Sequence, residues 1–198
     1  MQLTSAPACV VVYSSKYGAS EKYARIIADE LTADIYDTRN DHLDEIFERY
    51  GTIIWGGGIY AGRINGLGAL IKQLDKSQDR RIVVFSVGNT PEESVDILDK
   101  VRKNSIPQRL HPQVLFHHFV AKANFSSLTF SHRILFAALR IGLLIKPKKS
   151  RTPGEELFLA EYGTDTQEIN KNAARKFAAS LKNSSGNSAT INTGYPGS

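Results

Sequence analysis

Hydrophobic positions along this chain switch repeatedly between two periods. Val10-Val11-Val12-Tyr13 is an unbroken apolar run rich in β-branched residues, the pattern of a strand buried on both faces. From Ser20 the spacing changes, and Tyr23, Ile26, Ile27 and Leu31 share one face of a helix. The alternation predicts a strand over about 8–14, a helix over 19–32, a short strand over 33–37 and at most a short helix over 43–49. A third strand, Thr52-Ile53-Ile54-Trp55, is expected to end at Gly56-Gly57-Gly58. Asn65 to Leu74 reads as a helix, with Leu67, Leu70, Ile71 and Leu74 on one side. Arg81 to Val87 is a central strand, and Thr90 as cap with Pro91 at the first position opens a helix running to about Lys103. Gln113 to Val120 is the fifth strand, alternating in Val114, Phe116, His118 and Val120. Asp165 or Thr166 is expected to cap a last helix ending near Leu181, and residues 183–198 have a disordered composition.

Strand and helix thus alternate through five rounds, which predicts a doubly wound α/β fold: a five-stranded parallel sheet covered on both faces. Residues 1–182 form a single domain in this reading. Ligands of such sheets bind beyond the carboxyl ends of the strands, at the topological switch point. Three loops fall there: 14–20, 56–65 and 86–91. They are also the loops richest in Gly, Ser, Asn and Tyr.

The first of these loops suggests its own chemistry. A strand that feeds a hydroxyl-rich turn and then a helix N-terminus offers unpaired backbone N–H groups to an anion. The turn has one glycine and no Gly-Lys-Ser/Thr, so it is no P-loop, and it lacks the three glycines of a dinucleotide fingerprint. A hydroxyl-bearing loop can wrap one terminal phosphate, which points to a mononucleotide, with FMN the leading candidate. An ordinary turn capped by Ser15 or Ser20 is the competing explanation.

The pattern Tyr13-x-Ser15-x-x-Gly18-x-Ser20-x-x-x-Ala24-x-x-Ile27 resembles the flavodoxin phosphate-loop signature, with Ser20 in place of the usual Thr. Gly56-Gly57-Gly58-Ile59-Tyr60-Ala61-Gly62 and Phe85-Ser86-Val87-Gly88-Asn89 resemble the flavodoxin-like branch that includes the menaquinone-dependent protoporphyrinogen IX dehydrogenases. The resemblance implies a flavodoxin-like fold with FMN on the three loops. Ser14, Ser15, Lys16, Tyr17, Gly18, Ala19 and Ser20 would hold the phosphate. Gly57, Gly58, Ile59, Tyr60, Ala61 and Gly62 would lie against the isoalloxazine edge. Ser86, Val87, Gly88, Asn89 and Thr90 would meet its pyrimidine end. Tyr60 is either a stacking residue or a partly exposed loop aromatic. Arg63 is either a cation beside the flavin or a surface arginine. His111, His117, His118 and His132 are candidate bases by proximity alone, and no catalytic side chain is assigned.

Charge changes the picture in the second half. The net charge is +5, yet Lys100 to Gly154 contains eleven Lys/Arg and no acid, leaving 14 Lys/Arg against 20 acids elsewhere. Such a segment suits an anionic lipid surface, nucleic acid or a carboxylate-bearing substrate, or is a solvated surface with no partner. The lone cysteine, Cys9, sits in the first strand, where a small buried apolar role is expected; no metal cluster is expected. The N-terminus shows no basic region followed by an apolar stretch, so a cytoplasmic location is expected.

About forty residues, 122–163, intervene between the fifth strand and the last helix. Connections of that length are usually functional or disordered. Ser131 to Ile145 reads as a helix followed by Lys146-Pro147-Lys148-Lys149, too short to span a bilayer and interrupted by Arg140. Residues 129–151 can lie in an anionic membrane interface, fold over the flavin as a lid, or pack on the domain. The porphyrinogen dehydrogenases are similar here, with a basic and apolar insertion followed by Thr-Asp-Thr, as at Thr164-Asp165-Thr166. That resemblance implies an enzyme, peripheral on the inner face of the cell membrane, passing electrons from a porphyrinogen through FMN to a quinone, with no nucleic-acid partner. The alternative is a flavodoxin-type electron carrier whose insertion docks a protein partner. A flavin-less binding module is disfavoured by the hydroxyls of Ser15 and Ser20.

Overall fold

Strands β1 (Cys9–Ser14), β2 (Asp34–Asp37), β3 (Thr52–Tyr60), β5 (Arg81–Gly88) and β6 (Val114–Val120) pair in parallel in the order β2-β1-β3-β5-β6. A two-residue strand β4 (Arg63–Ile64) turns back antiparallel on the end of β3. The computed structural model describes residues 9–39, 43–74, 80–121, 130–163 and 169–184. Helices α1 (Ala19–Leu31) and α7 (Lys171–Ser184) cover one face. Helices α2 (Leu43–Arg49), α3 (Leu67–Leu74) and α4 (Val95–Ser105) cover the other.

Two cores follow from the pleat. Val10, Val12, Ile53, Trp55, Ile82 and Val84 point to the α2/α3/α4 side. Val11, Tyr13, Ile54, Val83, Phe85 and Val87 point to the α1/α7 side, against Tyr23, Ile27, Phe177 and Leu181. Strands covered on both faces are uniformly apolar, which explains their continuous runs. Cys9, at the start of β1, is half-buried rather than deeply buried, and burial raises its thiol pKa.

Several boundaries differ from the sequence expectation. Strand β3 does not stop at Gly56 but continues through the glycines to Tyr60. A Cβ on Gly57 would lie 2.3 Å from the Asn65 carbonyl oxygen, so the glycine marks close backbone approach inside a strand, not its end. Helix α3 begins at Leu67, two positions after Asn65. Helix α4 begins at Val95: Pro91 to Ser94 forms a turn closed by Ser94 N–H to the Pro91 carbonyl at 3.0 Å. The last helix begins at Lys171, with the Asn170 side chain accepting from Ala173 N–H at 3.0 Å. Asp165, Thr166 and residues 185–198 lie outside the described residues, and Asn183 and Ser184 are helical.

Beyond β6, helix α5 (Phe130–Ile145) forms as expected. A second helix, α6 (Pro153–Glu161), was not signalled by apolar spacing, yet it carries a full capping box between Thr152 and Glu155. Phe136 stacks on Phe158 at 5.7 Å, and Arg140 lies over the Tyr162 ring at 4.5 Å, so the two helices pack as a hairpin. No described helix is long and apolar enough to cross a membrane.

Candidate functional site

The carboxyl ends of β1, β3 and β5 bring the three expected loops to one rim. At the first, Gly18 adopts a left-handed conformation (φ 86°) and stands at the N-cap of α1 with no side-chain cap bond. The Ser15 hydroxyl accepts from Gly18 N–H at 3.0 Å and closes the turn from inside. The first turn of α1 therefore keeps the uncapped N–H groups and positive dipole end that suit a phosphate. Ser14 and Ser15 are buried, Lys16 is exposed, Tyr17, Gly18 and Ala19 are half-buried, and Ser20 is buried in the helix.

The second loop is a tight hairpin. Tyr60 pairs with Arg63, and the two residues between them, Ala61 (φ 48°) and Gly62 (φ 72°), are both left-handed. Two such residues make the type I′ geometry that two-residue hairpins favour. Ala61 carries the strain that a glycine would avoid. The hairpin is fastened to the first loop by Asn65: its side-chain amide donates to Ser14 Oγ at 2.7 Å and its backbone N–H to the Gly58 carbonyl at 2.9 Å. Tyr60 meets Tyr17 edge-on at 6.0 Å, and Lys16 Nζ sits 4.7 Å from the Tyr60 ring centre. Burial, with Tyr17 adding, pushes the Tyr60 phenol up to about 12, so it stays neutral. Arg63 is exposed at the hairpin's edge.

The third loop is held from β6. Ser86 is fully buried and its hydroxyl lies 2.8 Å from His118 Nδ1, so this side chain points into the structure rather than toward the rim. Val87 is likewise buried in the α1/α7 core. Gly88, Asn89 and Thr90 are half-buried at the rim. The Ser86 hydroxyl thus faces His118, and of residues 86–90 it is Gly88, Asn89 and Thr90 that stand at the rim.

The histidines also separate. His118 has both ring nitrogens bonded, His117 stacks on Phe177 at 4.5 Å, and His111 Nε2 bonds the Ile106 carbonyl at 2.8 Å. Burial drops the pKa of His117 and His118 to about 4, so both are neutral near pH 7. The side chain of His132 lies outside the described residues. Among the described residues no cluster could hold a metal ion.

A model of the flavodoxin domain matches residues 10–143. The chain belongs to the flavodoxin family. An uncharacterised protein of Methanocaldococcus jannaschii is 36% identical over 86 residues, which cover 42% of this chain and 55% of that relative's length. Among solved structures, a flavodiiron core from Synechocystis is similar at 16% identity, covering 92% of this chain and 38% of that one, with a TM-score of 0.44. A WrbA-like flavodoxin from Agrobacterium tumefaciens is similar at 14% identity, covering 85% of this chain and 97% of that one, with a TM-score of 0.39.

Flavodoxin domains take a flavin, typically FMN, and the rim fits one. Trp55 Nε1 is a buried donor with no hydrogen-bond partner among the described residues. It lies 3.7 Å from where a Cβ on Gly66 would stand, beside Ser14. An unpaired donor next to the phosphate turn matches an acceptor-rich ligand. Residues 14–20 would hold the phosphate, and 57–62 with 88–90 would border the ring. When bound, FMN supplies transfer of one or two electrons.

The insertion is rooted at this same rim. Ala121 N–H donates to the Gly88 carbonyl at 2.9 Å, and Ala121 bridges Ile169, so the chain leaves and rejoins the sheet at one point. The Tyr23 hydroxyl clasps both sides of that root. It donates to the Val120 carbonyl at 2.7 Å and accepts from Asn170 N–H at 2.9 Å. Tyr23 was visible in sequence only as one apolar position of the helix.

Proposed function

We propose that this flavodoxin-family protein is an FMN-dependent oxidoreductase that delivers electrons to a lipid-soluble quinone. The observation that carries this reading is helix α5. It leaves Ile134, Leu135, Leu139, Ile141, Leu144 and Ile145 between 49% and 79% exposed, on a hairpin rooted beside Gly88. Contiguous apolar exposure of this kind marks an interaction surface. Lys148 and Lys149 are exposed at its end and suit anionic headgroups. The basic segment is less available than its sequence suggested, because Lys146 pairs with Glu155 at 2.8 Å and Arg151 with Glu156 at 3.2 Å. Contact through the hairpin therefore combines these apolar side chains with the exposed Arg133, Arg140, Lys148 and Lys149.

The donor implied by the resemblance of the glycine loops and the insertion is a porphyrinogen such as protoporphyrinogen IX. For every two electrons and two protons it gives up, one quinone becomes one quinol. The test is anaerobic. Protein loaded with FMN is mixed with protoporphyrinogen IX and a quinone, either water-soluble or in anionic vesicles, and porphyrin fluorescence is followed. Porphyrin formation that needs both FMN and quinone is expected. A rate no higher than without protein would overturn the donor. A vesicle rate unchanged by Leu135→Asp with Ile145→Asp would overturn the role of the helix.

A further inference from the structure

A fully buried histidine on the edge strand β6 calls for a reason. His118 is 1% exposed on β6, at a register position directly beside Ser86 of β5. Burying a polar ring without partners is costly, and an aliphatic residue would fill the same space at no such cost. Both nitrogens are satisfied instead, and their partners fix the tautomer. Nε2 lies 2.9 Å from the Thr90 carbonyl oxygen, which can only accept, so Nε2 carries the proton. Nδ1 is then the acceptor, and the Ser86 hydroxyl donates to it at 2.8 Å.

These bonds straddle the tip of the third rim loop. Ser86 lies before Gly88 and Asn89, and Thr90 after them. With Ala121 N–H on the Gly88 carbonyl, β6 and the residue after it hold the loop at three successive alternate positions. The Thr90 carbonyl is engaged sideways by His118, and the following Pro91–Ser94 segment stays a turn, so α4 starts at Val95.

We infer that His118 is a positioning residue of the flavin site, setting the path of residues 86–90 through Ser86 and Thr90 so that the Gly88-Asn89 backbone meets the ring. This rests on the flavin reading of the rim. The experiment is titration of apoprotein with FMN, followed by the midpoint potential of the bound flavin and a thermal melt, for wild type, His118→Phe, His118→Gln and Ser86→Ala. Phe removes both bonds at similar volume, Gln can keep one, and Ala removes the Ser86 donor alone. His118→Phe should weaken FMN binding about tenfold and shift the midpoint potential. His118→Gln should recover part of both, and Ser86→Ala should change both by less. Folded variants with wild-type affinity and wild-type potential would overturn the inference and leave the flavin reading standing. Should His118→Phe fail to fold, Ser86→Ala with wild-type affinity and potential overturns it equally. A wild type that binds no FMN would overturn the flavin reading itself.

Discussion

The sheet and the α5/α6 hairpin use similar residues to opposite ends. In the sheet, Val, Ile and Leu are hidden under helices on both faces, and the rim is held by polar bonds among Ser14, Asn65, Ser86 and His118. In the hairpin, six Leu and Ile of α5 face outward and Leu143 is buried, while rings and ion pairs join the helices: Phe136 on Phe158, Arg140 on Tyr162 and Lys146 with Glu155. Burial in the first region makes a stable frame for a cofactor. Exposure in the second leaves apolar surface available for something outside the chain. The same residue types are therefore core in one place and surface in the other, and only neighbourhood tells them apart.

The sharpest way to break this contrast is to delete matched leucines. Leu70, 2% exposed on α3, should cost about 2–5 kcal/mol when changed to Ala, read by denaturant unfolding. Leu139, 49% exposed on α5, should cost under about 0.5 kcal/mol. Equal losses would mean that the hairpin face is covered after all. Acid should attack the sheet next. His117 and His118 titrate at about 4 when folded against an ordinary 6.5. Between those values the unfolded chain binds more protons, so stability falls as pH drops from about 6.5 toward 4. Each histidine contributes on the order of 3 kcal/mol to that loss. A double His117→Phe, His118→Phe protein should flatten the pH profile.

The seam between the two regions is more modest in effect. Tyr23→Phe removes a hydroxyl bonded on both sides of the insertion's root. It should cost about 2 kcal/mol and speed hydrogen exchange at the Asn170 amide, with the interior of β5 unaffected. Smallest of all is a gain within the sheet domain. Thr32 closes α1 at φ 52°, a left-handed position that a β-branched residue tolerates poorly. Thr32→Gly should add about 0.5–1 kcal/mol without altering FMN affinity.

The elements were most legible where one signal dominated. The run through Val10, Val11 and Val12 and the helical spacing after Ser20 gave β1 and α1 nearly to the residue, because burial on both faces leaves nothing but apolar side chains to read. Glycine misled. In β3 it answers the Asn65 backbone pressing on Gly57, a tertiary fact absent from local pattern. Pro91 and Thr90 form a proper helix start by composition, but the Thr90 carbonyl is bonded to His118, 28 residues away in sequence. At the site, the serine-rich turn and the glycine hairpin could be placed on one rim from residue type. The inward hydroxyl of Ser86 could not, although two adjacent histidines, His117 and His118, inside a mainly apolar strand were a visible irregularity. Helix α6 was missed for want of an apolar stripe, while its Thr152-Pro153-Gly154-Glu155 start was plain to read.

The bridge between Ala121 and Ile169 has an architectural consequence. Because Ala121 and Ile169 meet there, the α5/α6 hairpin hangs from the sheet at one address, and no strand of the order β2-β1-β3-β5-β6 comes from it. Substitutions on the outer face of that hairpin are thus separated from the sheet by a single anchoring point, as a flag is from its wall.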